Sequence, residues 1–179
     1  MEYPTDNPWG IPALPISACA DGIPSPIKCW GSYSRAAWNP GTTHFYTEDY
    51  RFSRLPVTSP AHTVVEPDYS WDPARASILY AIYQRRLVSY RWAMTTRIIA
   101  NIYLPPEALD LAMLGLPPGW WAFAWRAHRS DNPAIWDARL QAARRHAGDR
   151  PLLILVVAGG QRAAEWCARN GAIHHDPYK

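Results

Sequence analysis

Glu48, Asp49, Glu66, Asp68 and Asp72 fall in two short segments, each following a β-prone run, and their side chains suit oxygen-ligand chemistry. If the two runs adjoin, Asp49 and Asp68 present hard ligands to Mg²⁺ or Mn²⁺, with Glu66 beside them and His44 nearby. Metal-assisted phosphodiester cleavage needs such a group, so Asp49, Glu66 and Asp68 are the candidate catalytic residues. The plainer role for the same acids is local: Asp68 and Ser70 form turns and helix caps, while Glu48 and Asp49 pair with Arg51 and Arg54. The Pro67-Asp68 dipeptide invites comparison with PD-(D/E)xK nucleases. That pattern requires a lysine after a second acid, and none lies between Lys28 and Lys179.

A second set of residues suits binding. Arg126, His128 and Arg129 leave the end of an apolar run, where they can hold a phosphate or carboxylate or pair with the acids. Tyr50, Tyr69 and Trp71 flank the acidic segments and offer faces on which bases of a single strand stack. Ala158-Gly159-Gly160-Gln161 is a strand-to-helix turn with free backbone N–H groups, without the spacing of a nucleotide-binding loop. The tail His174-His175-Asp176 lacks an upstream ligand pair at zinc spacing, and adjacent strand residues point to opposite faces.

Positioning these groups requires a folded core, and the composition supplies one. Of 179 residues, 48% are hydrophobic and 18% charged, with ten Trp and ten Tyr, which excludes a disordered chain. The length fits one domain of ordinary size. A net charge of +3, carried almost wholly by Arg, does not by itself define a nucleic-acid binder. Three cysteines without CxxC spacing indicate neither a disulfide framework nor a cysteine-only zinc site, so a reduced, cytoplasmic setting is expected. No basic leader with an apolar run and no apolar stretch of membrane-spanning length are present, so no membrane partner is expected.

Residues 1–30 contain Pro4, Pro8, Pro12, Pro15, Pro24 and Pro26 and read as an extended arm. Its apolar members, among them Trp9, Ile11, Leu14 and Ile16, predict packing across the domain or a partner. Residues 31–179 read as a single α/β domain. Strands are predicted at Ile27–Trp30, Thr43–Tyr46, Thr63–Val65, Ile98–Tyr103, Trp120–Trp125 and Leu152–Val157, with a short last one over 172–175. Asn39-Pro40-Gly41 reads as a turn. Helices are predicted from Pro73, capped by Ser70 or Asp72, to near Trp92, from Pro106 to Leu114, from Pro133 to near Gly148, and from Gln161 to Arg169. The βα alternation of the second half implies a mostly parallel sheet, either open or an irregular partial barrel.

Gly31-Ser32-Tyr33-Ser34, the segment His44 to Phe52, and Glu66-Pro67-Asp68-Tyr69-Ser70 together resemble a family of bacterial, plasmid and phage proteins, domain of unknown function 4417. The resemblance runs from about Gly31 to Gly160. It implies a shared fold and a mobile-element role involving nucleic acid or a host protein. Two functions follow as expectations. One is binding or processing of nucleic acid at the acidic and aromatic strand ends, with Arg126 on a phosphate. The other is a non-enzymatic interaction module, such as an inhibitor of a host system, using the Pro-rich arm and exposed Trp.

Overall fold

Leu153–Ala158 is apolar on both faces, which suits a strand covered on both sides in a parallel sheet. In the computed structural model, which describes residues 3–30, 38–46, 58–69 and 77–177, it is the sixth of seven strands. These are β1 (Ile27–Cys29), β2 (Asn39–His44), β3 (Ala61–Val65), β4 (Arg97–Asn101), β5 (Ala122–Ala127), β6 (Leu153–Ala158) and β7 (Ile173–His175). Each pairs in parallel with the next in sequence. A sheet so ordered curls until its edges approach. The His44 and His175 rings, from β2 and β7, lie 5.4 Å apart across the one unsealed seam, so the sheet is a nearly closed barrel.

The helices between strands are α1 (Ile78–Trp92), α2 (Leu109–Ala112), α3 (Pro133–Ala147) and α4 (Gly160–Asn170). Ser77 caps α1 through a bond from the Tyr80 amide, so this helix starts later than Pro73 predicts; Ser70 and Asp72 lie outside the described residues. The Asn132 side chain and Pro133 start α3 as their types require, and Gly148 at φ 61° ends it. After Pro106 the chain makes a 3-10 turn (Pro106–Ala108) before α2.

Strand boundaries shift by one to a few residues from the sequence reading, and two of the shifts have a visible cause. Asn39-Pro40-Gly41 belongs to β2, whose register shifts between Asn39 and Thr42, the irregularity that lets a proline into a strand. A side chain at Gly41 would collide with the Pro26 backbone, 2.3 Å from its carbonyl oxygen. Trp120 precedes β5: its amide bonds back to Pro117 and its indole N–H donates to the Ala122 carbonyl at 2.9 Å. It is fully buried, and half-buried Trp121 carries the Arg150 guanidinium over its ring.

The Pro-rich arm lies beneath the strands' N-terminal ends. The Ala20 amide donates to Ile98 O at 3.0 Å, Leu14 to Gly115 O at 2.8 Å, and Arg97 reaches Ser17 O. Ile11, Leu14, Ala18, Cys19 and Ala20 join the same core as the strands. Burial pushes the thiols of Cys19 and Cys167 up to about 11 and about 12, so both stay protonated and inert. Among the described residues no helix is long and apolar enough to cross a membrane.

Candidate functional site

Side chains alternate across a strand, and the register fixes which set points inward. Arg126, Val157 and His175 share one row, Ala124, Leu155 and Ile173 the row below. Trp125 points outward onto Trp166 of α4. Among the described residues, the inward polar side chains at the C-terminal ends of the strands therefore include His44, Tyr46, Asn101, Tyr103, Arg126, His128 and His175. Parallel barrels keep their sites at this end, because loops of independent sequence converge there on a fixed frame.

One half of this mouth is closed by ion pairs. Glu66 and Asp68 are buried, each facing a guanidinium from α1. Arg86 binds Glu66 and the carbonyls of Ala112 and Leu114; the Asn101 amide also donates to Glu66, at 3.0 Å. Arg85 lies 3.4 Å from Asp68 and donates to the carbonyls of Tyr69, Asn101 and Tyr103. The Asn101 side chain donates to Asp68 at 3.3 Å and accepts from the Tyr103 amide at 2.9 Å and the Tyr46 hydroxyl at 3.2 Å. Burial, with the Asp68 charge adding to it, holds the Tyr46 phenol well above its usual range.

The other half is open. Arg126, His128 and Arg129 line a cavity of about 190 Å³ with Gly159, Gly160 and Asp176. Ala158, Gly159 and Gly160 all have left-handed φ, at 66°, 84° and 66°. For Ala158 that conformation costs about 1–2 kcal/mol, and such outliers gather where a backbone shape is functional. A side chain on Gly159 would strike Ala127 and Ala163, and one on Gly160 would meet Arg129 Nε at 3.3 Å. The glycines thus let β5 and the Arg129 side chain lie against the N-terminus of α4. The His128 ring accepts or donates a 2.8 Å bond with the Tyr103 hydroxyl, and its backbone N–H donates to Asp131. A larger hollow of about 330 Å³, bordered by Arg144, Arg150 and Gly171, lies at the opposite end of the strands, away from these groups.

At the seam, His44 is fully buried and neither ring nitrogen has a hydrogen-bond partner among the described residues. Burial pushes its pKa down to about 3, and His175 and Arg126 act in the same direction. Arg139, 4% exposed, donates to Leu104 O while its Nε and Nη1 have no partner among the described residues, and its guanidinium lies 5.0 Å above the Tyr103 ring.

Of the residues singled out in the sequence, Glu66 and Asp68 meet around Asn101, and Arg126 and His128 meet at the cavity. Tyr69 is half-buried and contributes its carbonyl to Arg85. Asp49, Tyr50 and Trp71 lie outside the described residues. Among the described residues, no group of three or more His, Cys, Asp or Glu is placed to hold a metal ion. Sequence reasoning missed Arg85 and Arg86, Asn101, Tyr103 and Arg139. A signal existed for the first two: with Ala81, Ile82 and Ser89 they share the helical spacing of one face.

No protein-family profile matches the chain, and no solved structure matches it. The Gene 1 protein of Mycobacterium phage D29 is similar, at 25% identity over 134 residues, covering 66% of this chain and 48% of the phage protein. The chain thus spans about half the length of that relative, and the likeness supports a phage-associated origin.

Proposed function

We propose that this is a phage-associated protein that binds nucleic acid by its phosphates at the open half of the barrel mouth. The observation that carries the reading is the convergence of Arg126, His128 and Arg129 on one cavity at the N-terminus of α4. Guanidiniums bind phosphate in a bidentate fork, and backbone N–H groups at a helix start add a partial positive charge. Asp176 is the acid on the same wall, set against two arginines. The similarity to a phage protein supports the biological setting, as does the resemblance to the mobile-element family in Glu66-Pro67-Asp68-Tyr69-Ser70.

Fluorescence anisotropy with labelled single-stranded and duplex oligonucleotides tests this. The double variant Arg126→Ala/Arg129→Ala should weaken binding about ten- to a hundredfold and reduce the salt slope by about one to two. Unchanged affinity in that variant would overturn the reading. A protein-interaction role rests on a different observation, the exposure of Trp9 (50%) and Trp38 (59%), which fits anchors for a host protein. Replacing both with Ala leaves oligonucleotide binding unchanged if the phosphate reading holds.

A further inference from the structure

The Tyr103 hydroxyl and His128 Nε2, 2.8 Å apart, are held from both sides. Asn101 fixes the Tyr103 backbone at 2.9 Å, and the Arg139 guanidinium covers its ring. The Asp131 carboxylate accepts from the His128 amide at 2.9 Å and from the Trp136 indole at 3.1 Å. His128 Nδ1 makes no hydrogen bond among the described residues, and the ring lines the cavity shared by Arg126 and Arg129. Burial, with the Asp68 charge adding to it, raises the Tyr103 pKa, so the phenol keeps its proton at neutral pH and stands as a hydrogen-bond donor rather than a nucleophile. Beside it, buried Arg139 has no carboxylate within ion-pair distance among the described residues and two unpartnered nitrogens. A buried cation left in this state is one that an anion at the mouth would compensate.

We propose that Tyr103 and His128 form a proton-transfer pair that hydrolyses a phosphodiester held by Arg126 and Arg129, an inference that rests on the phosphate-binding reading. In the working tautomer, His128 Nε2–H donates to the Tyr103 oxygen, leaving Nδ1 with a lone pair and the phenol proton free. As water oxygen bonds to phosphorus, Nδ1 takes one of its protons. The bond from phosphorus to the departing oxygen breaks, its electron pair stays on that oxygen, and the Tyr103 proton neutralises it. The phenolate then recovers a proton from Nε2, which leaves His128 neutral with its proton on Nδ1, and exchange with solvent water (loss from Nδ1, gain at Nε2) restores the working tautomer. Water and diester become a phosphomonoester and an alcohol, while the arginines stabilise the charge gathering on phosphorus.

The test uses the full chain with bis(p-nitrophenyl) phosphate and with end-labelled oligonucleotides, in EDTA and in Mn²⁺, comparing wild type with Tyr103→Phe and His128→Asn. Cleavage should persist in EDTA, and each variant should lower kcat about a hundredfold or more, while the oligonucleotide affinity of Tyr103→Phe stays within about threefold. The wild-type rate should rise with pH along a limb that is absent from His128→Asn. If wild type binds oligonucleotides but does not cleave in EDTA, or Tyr103→Phe cleaves at the wild-type rate, the proton-transfer pair is wrong and the binding site stands. If wild type binds no oligonucleotide, the phosphate reading fails first.

Discussion

The two halves of the barrel mouth use the same kinds of side chain to opposite ends. Around β3 and β4, Glu66 and Asp68 are matched to Arg86 and Arg85, and Asn101 bonds to both acids, leaving Glu66 Oε1 and Arg85 Nε without a partner among the described residues. Around β5 to β7, Arg126 and Arg129 border a cavity, and His44 and Arg139 behind them carry unpartnered nitrogens. The difference lies in where the opposite charge comes from. On the first side α1 supplies it within the fold; on the second the described residues supply only Asp176 at the cavity wall. Acids at a strand end that the fold itself pairs are thus weaker candidates for a site than arginines faced by a single acid among the described residues.

The comparison breaks hardest at Glu66. Glu66→Ala strands a buried guanidinium and should cost about 3–5 kcal/mol in urea denaturation, whereas replacing Glu66 and Arg86 together with apolar residues should recover most of that loss. Next comes acid sensitivity. The folded pKa of His44 is about 3 against 6.5 for the free group, so the unfolded chain binds a proton that the folded chain refuses. Stability is therefore complete above pH 6.5 and falls on acidification towards pH 3, by about 1.4 kcal/mol per pH unit. His44→Phe should flatten this limb in part, since His175 and His146, lowered chiefly by burial, contribute in the same direction. On the open side the signature reverses: Arg126→Ala/Arg129→Ala should lose oligonucleotide affinity while the free energy of unfolding changes by no more than about 0.5 kcal/mol. Smallest is Gly160→Ala, which strains a left-handed residue by about 1 kcal/mol and crowds Arg129. It should weaken binding severalfold, and a result equal to wild type would argue against Arg129 lying on that turn.

Local chemistry made much of the fold legible. The run ending at Ala158 reads as an interior parallel strand because it has no polar face, and α3 is bracketed by Pro133 and Gly148. Closure into a barrel is a property of strand order, which no single segment encodes. The site was legible where strand ends carry unusual residues, as at Arg126 and His128, and obscure where a role depends on a distant partner. Glu66 reads as a free acid until Arg86, twenty positions later, is seen on the buried face of α1. Tyr103 reads as the end of a β-prone run; only the fold brings it to His128, twenty-five positions on.

The arm beneath the barrel sets an order of events during synthesis. Leu14 and Ala20 leave the ribosome early, yet the groups that receive them, Gly115 and Ile98, emerge some eighty to a hundred residues later. Until then Ile11 and Leu14 have no apolar bed, and the strands that do form have an open base. The floor therefore cannot close before Gly115 emerges, and a nascent chain halted short of it should display the arm to proteases and chaperones that the finished protein evades.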